Sequence, residues 1–303
     1  MKLYAPEYYK NFKCIADKCK HSCCIGWEID VDEHTLDKYN KLDSGYGQTI
    51  KNNIAHKDTP HFLLSENDRC PHLNSEGLCK IILEYGDSYL CDICREHPRF
   101  YNHTSSGKEV GIGMSCEEAC RIILESDNFL NIIEVGNTPD EATEPSQFNS
   151  LAQRNIIYGI LSDKTLDYKS KLQKVGETYD ISLSDISDNE WKNIINSLEY
   201  LGKEHRELFL NFSSRATVPI GYEKYAERAL AYFVYRHNSE AYNANEFRAS
   251  LGFCLFCEKL LVSLITLQKN ISTDVLFEYA RIISEELEYS ENNTEAIKFE
   301  LSF

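Results

Sequence analysis

The sequence predicts a mainly α protein in two parts: a cysteine-rich metal-binding N-terminal module carrying a small β-hairpin, followed by an all-α helical bundle. Three observations predict it. Ten of the twelve cysteines fall within the first 120 of 303 residues. Apolar residues recur at three- and four-residue intervals through most of the chain beyond residue 148. Between these regions lies VGNTPDEATEPSQ, which is acidic and turn-rich. The boundaries therefore read as a cysteine-rich module over 1–126, a linker over 127–147 and a helical domain over 148–303.

The module opens with CIADKCKHSCC, in which a helical reading puts Cys19 and Cys23 on one face and turns Cys24 about 100° away. GWEIDV alternates and predicts a short strand, and DEHTLDKYNKL predicts a helix capped by Asp32. RCPHLNSEGLCKIILEYGDSYLCDICREHPRFY reads as two short helical stretches around a loop, and RFYNHTSSGKEVGIGM as two strands joined at Ser105, Ser106 and Gly107. A helix begins near SCEEACRIILE. Beyond the linker, helices are predicted through FNSLAQRNIIYGILSD, NEWKNIINSLEYL, YEKYAERALAYFVYRH, FRASLGFCLFCEKLLVSLITL and DVLFEYARIISEELEYS.

Composition excludes several classes. With 42% hydrophobic and 26% charged residues the chain is neither disordered nor fibrous. Its longest apolar run, LVSLITL, is far below the roughly 20 residues that cross a bilayer, so no membrane partner is expected. The formal net charge of -16 repels a phosphate backbone, which argues against nucleic acid. The first residues lack an apolar stretch and a small-residue cleavage site, so the expected location is cytoplasmic.

In a reducing compartment clustered thiols bind metal or do redox chemistry more often than they form disulfides. Cys14, Cys19, Cys23, Cys24, Cys70, Cys79, Cys91, Cys94, Cys116 and Cys120 are spaced so that several could reach one ion or cluster. Both zinc and iron–sulfur clusters accept four thiolates, and the spacing is not that of paired CxxC zinc knuckles. His21 is a weaker ligand candidate. Cys254 and Cys257 form a CxxC, but on an apolar helix where core packing accounts for them. Walker A, GxSxG, HExxH and strand-linked GxGxxG motifs are absent, and Gly111 and Gly113 read as a strand device.

The blocks YYKNFKCIADKCKHSCCIGWEIDVDEHTLDKY, RCPHLNSEGLCKIILEYGDSYLCDICREHPRFY and GMSCEEACRIIL resemble, in order and spacing, those of the flagellin lysine N-methylase (FliB-like) family. Weaker echoes in RNIIYGILSDKTLDYKSKLQKVG and YAERALAYFVYRH extend the resemblance over most of the chain. The first block also overlaps the YkgJ-type cysteine-cluster proteins. Carried across residue by residue, the resemblance implies metal ligands at Cys14, Cys19, Cys23, Cys24, Cys70, Cys79, Cys94 and Cys116, with Trp27, Pro98, Arg99 and Phe100 as non-thiol members, and makes Cys91 and Cys120 extras. It further implies an iron–sulfur cluster, 4Fe-4S ahead of zinc, S-adenosylmethionine as methyl donor and flagellin lysines as acceptors. Arg99 is then the candidate anchor for the cofactor carboxylate, against a role holding the module together.

The implied chemistry needs a neutral amine, whereas free lysine with a pKa of about 10.4 is almost wholly protonated at neutral pH. Apolar burial beside aromatic rings and a nearby acceptor would supply it. Tyr101, Tyr232, Tyr235 and Arg236 could line such a lysine channel or could be core residues; Glu204 and Glu227 could take the proton. The CxxxCxxC loop of radical enzymes is not present, which favours a polar transfer. The alternative reading is a metal-binding or redox-sensing protein without methylase activity.

Overall fold

The computed structural model describes residues 1–43, 45–56, 59–104, 107–139 and 148–302. In chain order its elements are β1 (Lys2–Pro6), α1 (Glu33–Asn40), α2 (Tyr46–Asn52), β2 (Ile54–Ala55), β3 (His61–Phe62), α3 (Lys80–Tyr85), α4 (Asp92–Glu96), β4 (Arg99–Thr104), β5 (Gly107–Ile112), α5 (Glu117–Glu125) and β6 (Ile132–Asn137). Helices alone follow among the described residues: α6 (Ser150–Ser162), α7 (Tyr168–Tyr179), α8 (Asp188–Ser197), α9 (Lys203–Phe209), α10 (Glu223–His237), α11 (Ala244–Ile265), α12 (Thr273–Ile283) and α13 (Glu291–Glu300). Mainly α is therefore the architecture.

The chain forms two compact units. Met1–Phe12, Phe100–Ser115 and Ala119–Phe303 make one, here the helical unit; Lys13–Arg99 with Cys116–Glu118 make the other, the cysteine unit. This division departs from a single boundary after residue 126, and the reason is a sheet. β4, β5, β1 and β6 lie side by side in that order, with β1 parallel to β5 and antiparallel to β6. The expected hairpin is thus half of a four-stranded sheet whose other strands come from the N-terminus and from the expected linker. Ile132 and Ile133 are β-branched and pair with Pro6 and Ala5 across the ladder, and Val135 falls at the register shift between Leu3 and Tyr4. Of the remaining expected linker, residues 140–147 lie outside the described residues, as do Ser105 and Ser106 of the hairpin turn.

Within the helical unit, α11 is the centre. Seventeen of its 22 residues are buried, so it is apolar all round and is wrapped by other helices instead of showing a wet face. Cys254 and Cys257 are fully buried on it, and the Cys254 thiol donates to Asn238 Oδ1 at 3.1 Å. Gly252 lets the C-terminus approach: a Cβ there would sit 3.0 Å from Leu301 Cβ. On the sheet, Gly111 is flat enough to receive the Phe100 ring, which a Cβ would meet at 2.2 Å. No described helix is long and apolar enough to cross a membrane.

The cysteine unit has little regular structure of its own. Its hydrophobic cluster is built from Ile29, Val31, Tyr39, Ile50, Ile54, Phe62 and Ile81, with Cys70 and Cys91 buried among them. GWEIDV is not a strand. Ile29 and Val31 do turn inward as the alternation required, but the bridge within the segment is the single one from Asp30 to His61, beside which the Phe62 amide donates to the Ile29 carbonyl at 2.9 Å, so it touches the two-residue strand β3 without building a ladder. Likewise, the only described helical element in CIADKCKHSCC is a single 3₁₀ turn at Ala16–Lys18.

Candidate metal centre

Nine of the ten N-terminal thiols lie in the cysteine unit: Cys14, Cys19, Cys23, Cys24, Cys70, Cys79, Cys91, Cys94 and Cys116. Cys120 belongs to the helical unit, where it is buried and donates to the Phe277 carbonyl at 3.4 Å. None of the twelve cysteines is in a disulfide.

Each thiol is placed by short-range backbone chemistry. Cys70 donates its amide to the Cys24 carbonyl at 2.8 Å, which ties the first block to the second. Cys79 is the N-cap of α3 and Cys91 the N-cap of α4, positions where the helix dipole favours a thiolate. Cys94 follows on the first turn of α4. Cys116 immediately precedes α5, and its neighbour Glu117 reaches back to accept the amides of Lys20 and His21 at 2.7 and 3.3 Å and to sit 3.6 Å from Cys19 Sγ. A single carboxylate therefore holds the Cys19 loop beside Cys116.

Backbone amides are aimed at the sulfurs. Ala16 donates to Cys14 Sγ at 3.4 Å, and amides also point at Cys19 from His21, at Cys70 from His72 and at Cys79 from Ile82 and Ile81. A thiol buried merely as a small hydrophobe has no need of such donors; a metal-bound thiolate does. Nine undisulfided sulfurs, four of them with neighbouring backbone N–H donors directed at them, are of the donor type that zinc or an iron–sulfur cluster requires.

Without metal, burial and hydrogen bonding hold the proton on Cys19, Cys23, Cys70, Cys79 and Cys94 and loosen it on Cys24 and Cys91. Burial pushes the Cys19 and Cys70 thiols up to about 12. Cys23 is raised by its hydrogen bond with Cys24, and the same bond lowers Cys24 to about 7, helped by the Ser22 hydroxyl and the Arg69 cation. Cys94 is raised through its bond with Cys91, and Cys91 is lowered by it and by Tyr39, whose hydroxyl lies 3.6 Å from Cys91 Sγ. Metal binding must displace these protons, so affinity rises with pH.

A second ligand-bearing group, Asp32, His34 and Asp92, brings three ligand atoms within 4.8 Å of one another. Its geometry is that of a clamp. Asp32 Oδ1 accepts from the Thr35 amide at 2.9 Å, the N-cap bond of α1, while Oδ2 accepts from the Asp92 amide at 2.8 Å, at the start of α4. One side chain caps two helices and so fixes Cys91 and Cys94.

The other expected site residues are distributed as follows. Arg99 donates to the Arg95 carbonyl at 3.2 Å, at the end of α4. Tyr232 and Tyr235 are buried in the helical unit and Arg236 is half-buried there. Tyr232 donates to Glu288 at 2.9 Å, Tyr235 donates to the Val110 carbonyl at 3.1 Å, and the Arg236 guanidinium lies between the rings of Phe100 and Tyr289 at 4.7 and 4.8 Å. Tyr101 is apart from them, 40% exposed with the Lys108 ammonium over its ring. These contacts are those of core residues. Glu227 is engaged by Lys171 at 2.6 Å, whereas Glu204 is exposed at the start of α9. An open cavity of about 610 Å³ is lined by Glu7, Tyr8, Lys10 and Asp127 among others, but Glu7 is bonded to Asn128 and Asn131, and Asp127 to Arg228.

Sequence reasoning missed Glu117, Tyr39 and the second capping bond of Asp32. Only Glu117 carried a signal, as a carboxylate directly following a candidate ligand.

The chain is similar to two proteins named lysine-N-methylase, from Salmonella choleraesuis and Salmonella typhimurium, each 25% identical over 136 residues. The match takes in 43% of this chain and 34% of each relative, so it spans about a third of their length. A flagellar biosynthetic protein FliU from Salmonella muenchen is also 25% identical over 136 residues, covering 80% of that protein. No family model matches the chain. No solved structure matches it either.

Proposed function

We propose that this protein is a lysine N-methyltransferase that takes its methyl group from S-adenosylmethionine, acts on lysine side chains of flagellin, and carries a thiolate-held iron–sulfur cluster in its cysteine unit. The observation that carries this reading is the similarity to lysine-N-methylases in a chain whose thiols are gathered and undisulfided.

The cluster, when bound, supplies redox capacity and ties together loops that have little secondary structure of their own; Cys14, Cys19, Cys23, Cys24, Cys70, Cys79, Cys94 and Cys116 are the proposed ligands, with Cys91 in the same group of thiols. Arg99, at the start of β4, is the proposed carboxylate anchor, by the bidentate geometry that a guanidinium permits. The lysine Nζ must be neutral to attack the methyl carbon; as the N–C bond forms the methyl–sulfur bond breaks, S-adenosylhomocysteine leaves with the electron pair on sulfur, and the proton shed by the amine goes to an acceptor. Glu204 and Glu227 are the carboxylates considered for that role, and Glu227 is engaged by Lys171.

The test is methyl transfer from labelled S-adenosylmethionine to purified flagellin by metal-loaded protein, read by mass spectrometry of flagellin lysines. A methyl gain on lysine supports the reading. Its absence, with metal bound and the donor saturating, overturns it.

One observation favours a second reading as a redox sensor: Cys14 and Cys23 reach solvent, and Cys24 is lowered to about 7, so reactive thiolate is present near neutrality when metal is absent.

A further inference from the structure

We infer that Glu258 keeps its proton in the folded helical unit, which makes the core of that unit a pH-sensitive device that loosens as pH rises. This goes beyond the proposed function and does not rest on it.

Glu258 lies in the middle of α11 and is fully buried. Its hydrogen-bond partner is Tyr168, whose hydroxyl donates from the first residue of α7 to Oε1 at 2.9 Å. Oε2 is buried with no hydrogen-bond partner. The surroundings are apolar: Val262, one turn further along the same face of α11, packs with Tyr168, with Ala226 of α10 and with Leu172, Ala216 and Val218.

The charged groups on these elements are engaged elsewhere. On α7, the Lys171 ammonium donates to the Leu161 carbonyl and to Glu227 Oε1 of α10, at 2.5 and 2.6 Å. Arg228 of α10 donates to the Leu124 carbonyl and to Asp127. On α11 itself, the Lys259 ammonium donates to the Ala216 carbonyl at 3.1 Å. Lys169 and Lys174 of α7, Lys224 of α10 and Arg215 in the adjoining loop are exposed. Among the described residues, no cation forms an ion pair with Glu258.

In such a site a carboxylate without a counter-ion is far more costly than a neutral carboxylic acid with one unpaired hydroxyl, so the proton stays. Burial accordingly holds it to a higher pH than in an ordinary glutamate, against the opposing effects of Lys259 and the Tyr168 hydroxyl. The unfolded chain has no such restraint and ionises at about 4.3. Above that value the folded state binds one proton more than the unfolded state. Stability therefore falls with rising pH until the folded pKa is passed, and is unaffected below both values. On ionisation the O–H electron pair stays on the carboxylate and the proton leaves to solvent water or hydroxide. The charge left behind favours any opening that lets water in between α7 and α11. The cysteine unit responds in the opposite sense, since its affinity for metal rises with pH.

The experiment is urea unfolding of the full chain and of Glu258→Gln, both in the same state of metal loading, followed by helix ellipticity across the range from about one pH unit below the unfolded glutamate value to several above it. Glutamine has nearly the same shape and cannot ionise. Above the unfolded value, the unfolding constant of the wild type relative to the variant should rise about tenfold per pH unit until the folded pKa is reached. A ratio that stays constant with pH, or falls, overturns the inference. If Glu258→Gln does not fold, infrared spectroscopy of the wild type with isotope-labelled glutamate decides. At about pH 8, where exposed glutamates are ionised, the C=O stretch of a protonated side-chain carboxyl is expected, and its absence overturns the inference. Neither result bears on methylation of flagellin, which is read separately.

Discussion

Lys20 and Glu117 are 97 residues apart, yet the Lys20 amide donates to the Glu117 carboxylate at 2.7 Å, and the His21 amide donates to the same oxygen. The loop bearing Cys19 and Cys23 is held in place by that oxygen, with no regular helix or strand beneath it. Hydrogen bonds to a charged group contribute about 1.5–3 kcal/mol. Glu117→Ala should therefore weaken metal retention by about tenfold or more in a chelator competition, whereas Glu117→Gln, which keeps an acceptor oxygen, should retain most of it. Equal retention in the alanine variant and the wild type would remove Glu117 from the site.

Asp32 caps two helices at once. Replacing an N-cap aspartate with alanine costs about 0.5–2 kcal/mol at a single helix, and here α1 and the start of α4 both lose an acceptor. Asp32→Ala should lower the denaturation midpoint accordingly. Burial works against the ionised Asp32, but the amides of Asp92 and Thr35 and the Thr35 side chain outweigh it, so its folded pKa is depressed. The stability it contributes is present above the unfolded aspartate pKa and is lost as pH falls through the lower folded value. The difference between wild type and Asp32→Ala should shrink on acidification, and a pH-independent difference would refute the capping account.

Arg154 reaches Glu109 with two N–H bonds of 2.7 and 2.6 Å, both side chains about 4% exposed, and Ser239 adds a bond to each. Removing one partner of such a pair strands a buried charge, at about 3–5 kcal/mol. Arg154→Ala should lose that much in urea denaturation, and a double replacement by apolar residues of similar volume should lose much less. If single and double variants lose equally, packing and not charge governs the site.

His205 is raised by its hydrogen bond to the buried Glu286 carboxylate and by the carboxylates around it, against the lowering effect of burial. A raised histidine stabilises fully below the unfolded value of about 6.5, and that contribution is lost as pH rises through the folded pKa. The ring proton resonances of His205 should titrate above 6.5, and His205→Gln should be most destabilising at mildly acidic pH. A midpoint at or below 6.5 would contradict this.

How much of this was legible in the residues depended on whether the signal was local. The helix capped by Asp32, the short helices at Lys80 and Asp92, the two strands around Gly107 and α6, α8, α10, α11 and α12 follow from short-range periodicity and caps, whereas α7, α9 and α13 were not among the expected helices. The burial of Cys254 and Cys257 followed from the apolar helix around them. GWEIDV misled because alternation records burial on one side, whereas the strand it meets, β3, is two residues long and gives a single bridge. The CIADKCKHSCC segment misled because spacing of four suggests a helix, whereas here backbone-to-sulfur bonds and Glu117 set the loop. Ile132–Asn137 was obscured by the turn-rich stretch that follows it, and its pairing with the N-terminus is non-local.

The sheet has a consequence for dissecting this chain. The chain leaves it after β1 and re-enters at β4, so the cysteine unit is a guest carried between two strands of its host. Trimming from the N-terminus would take a central strand of the host along with the thiols. A graft that joins the end of β1 directly to β4, by contrast, would excise most of the guest and leave the strand order intact, and the same two seams offer the entry points for transplanting the thiol-bearing excursion into an unrelated sheet.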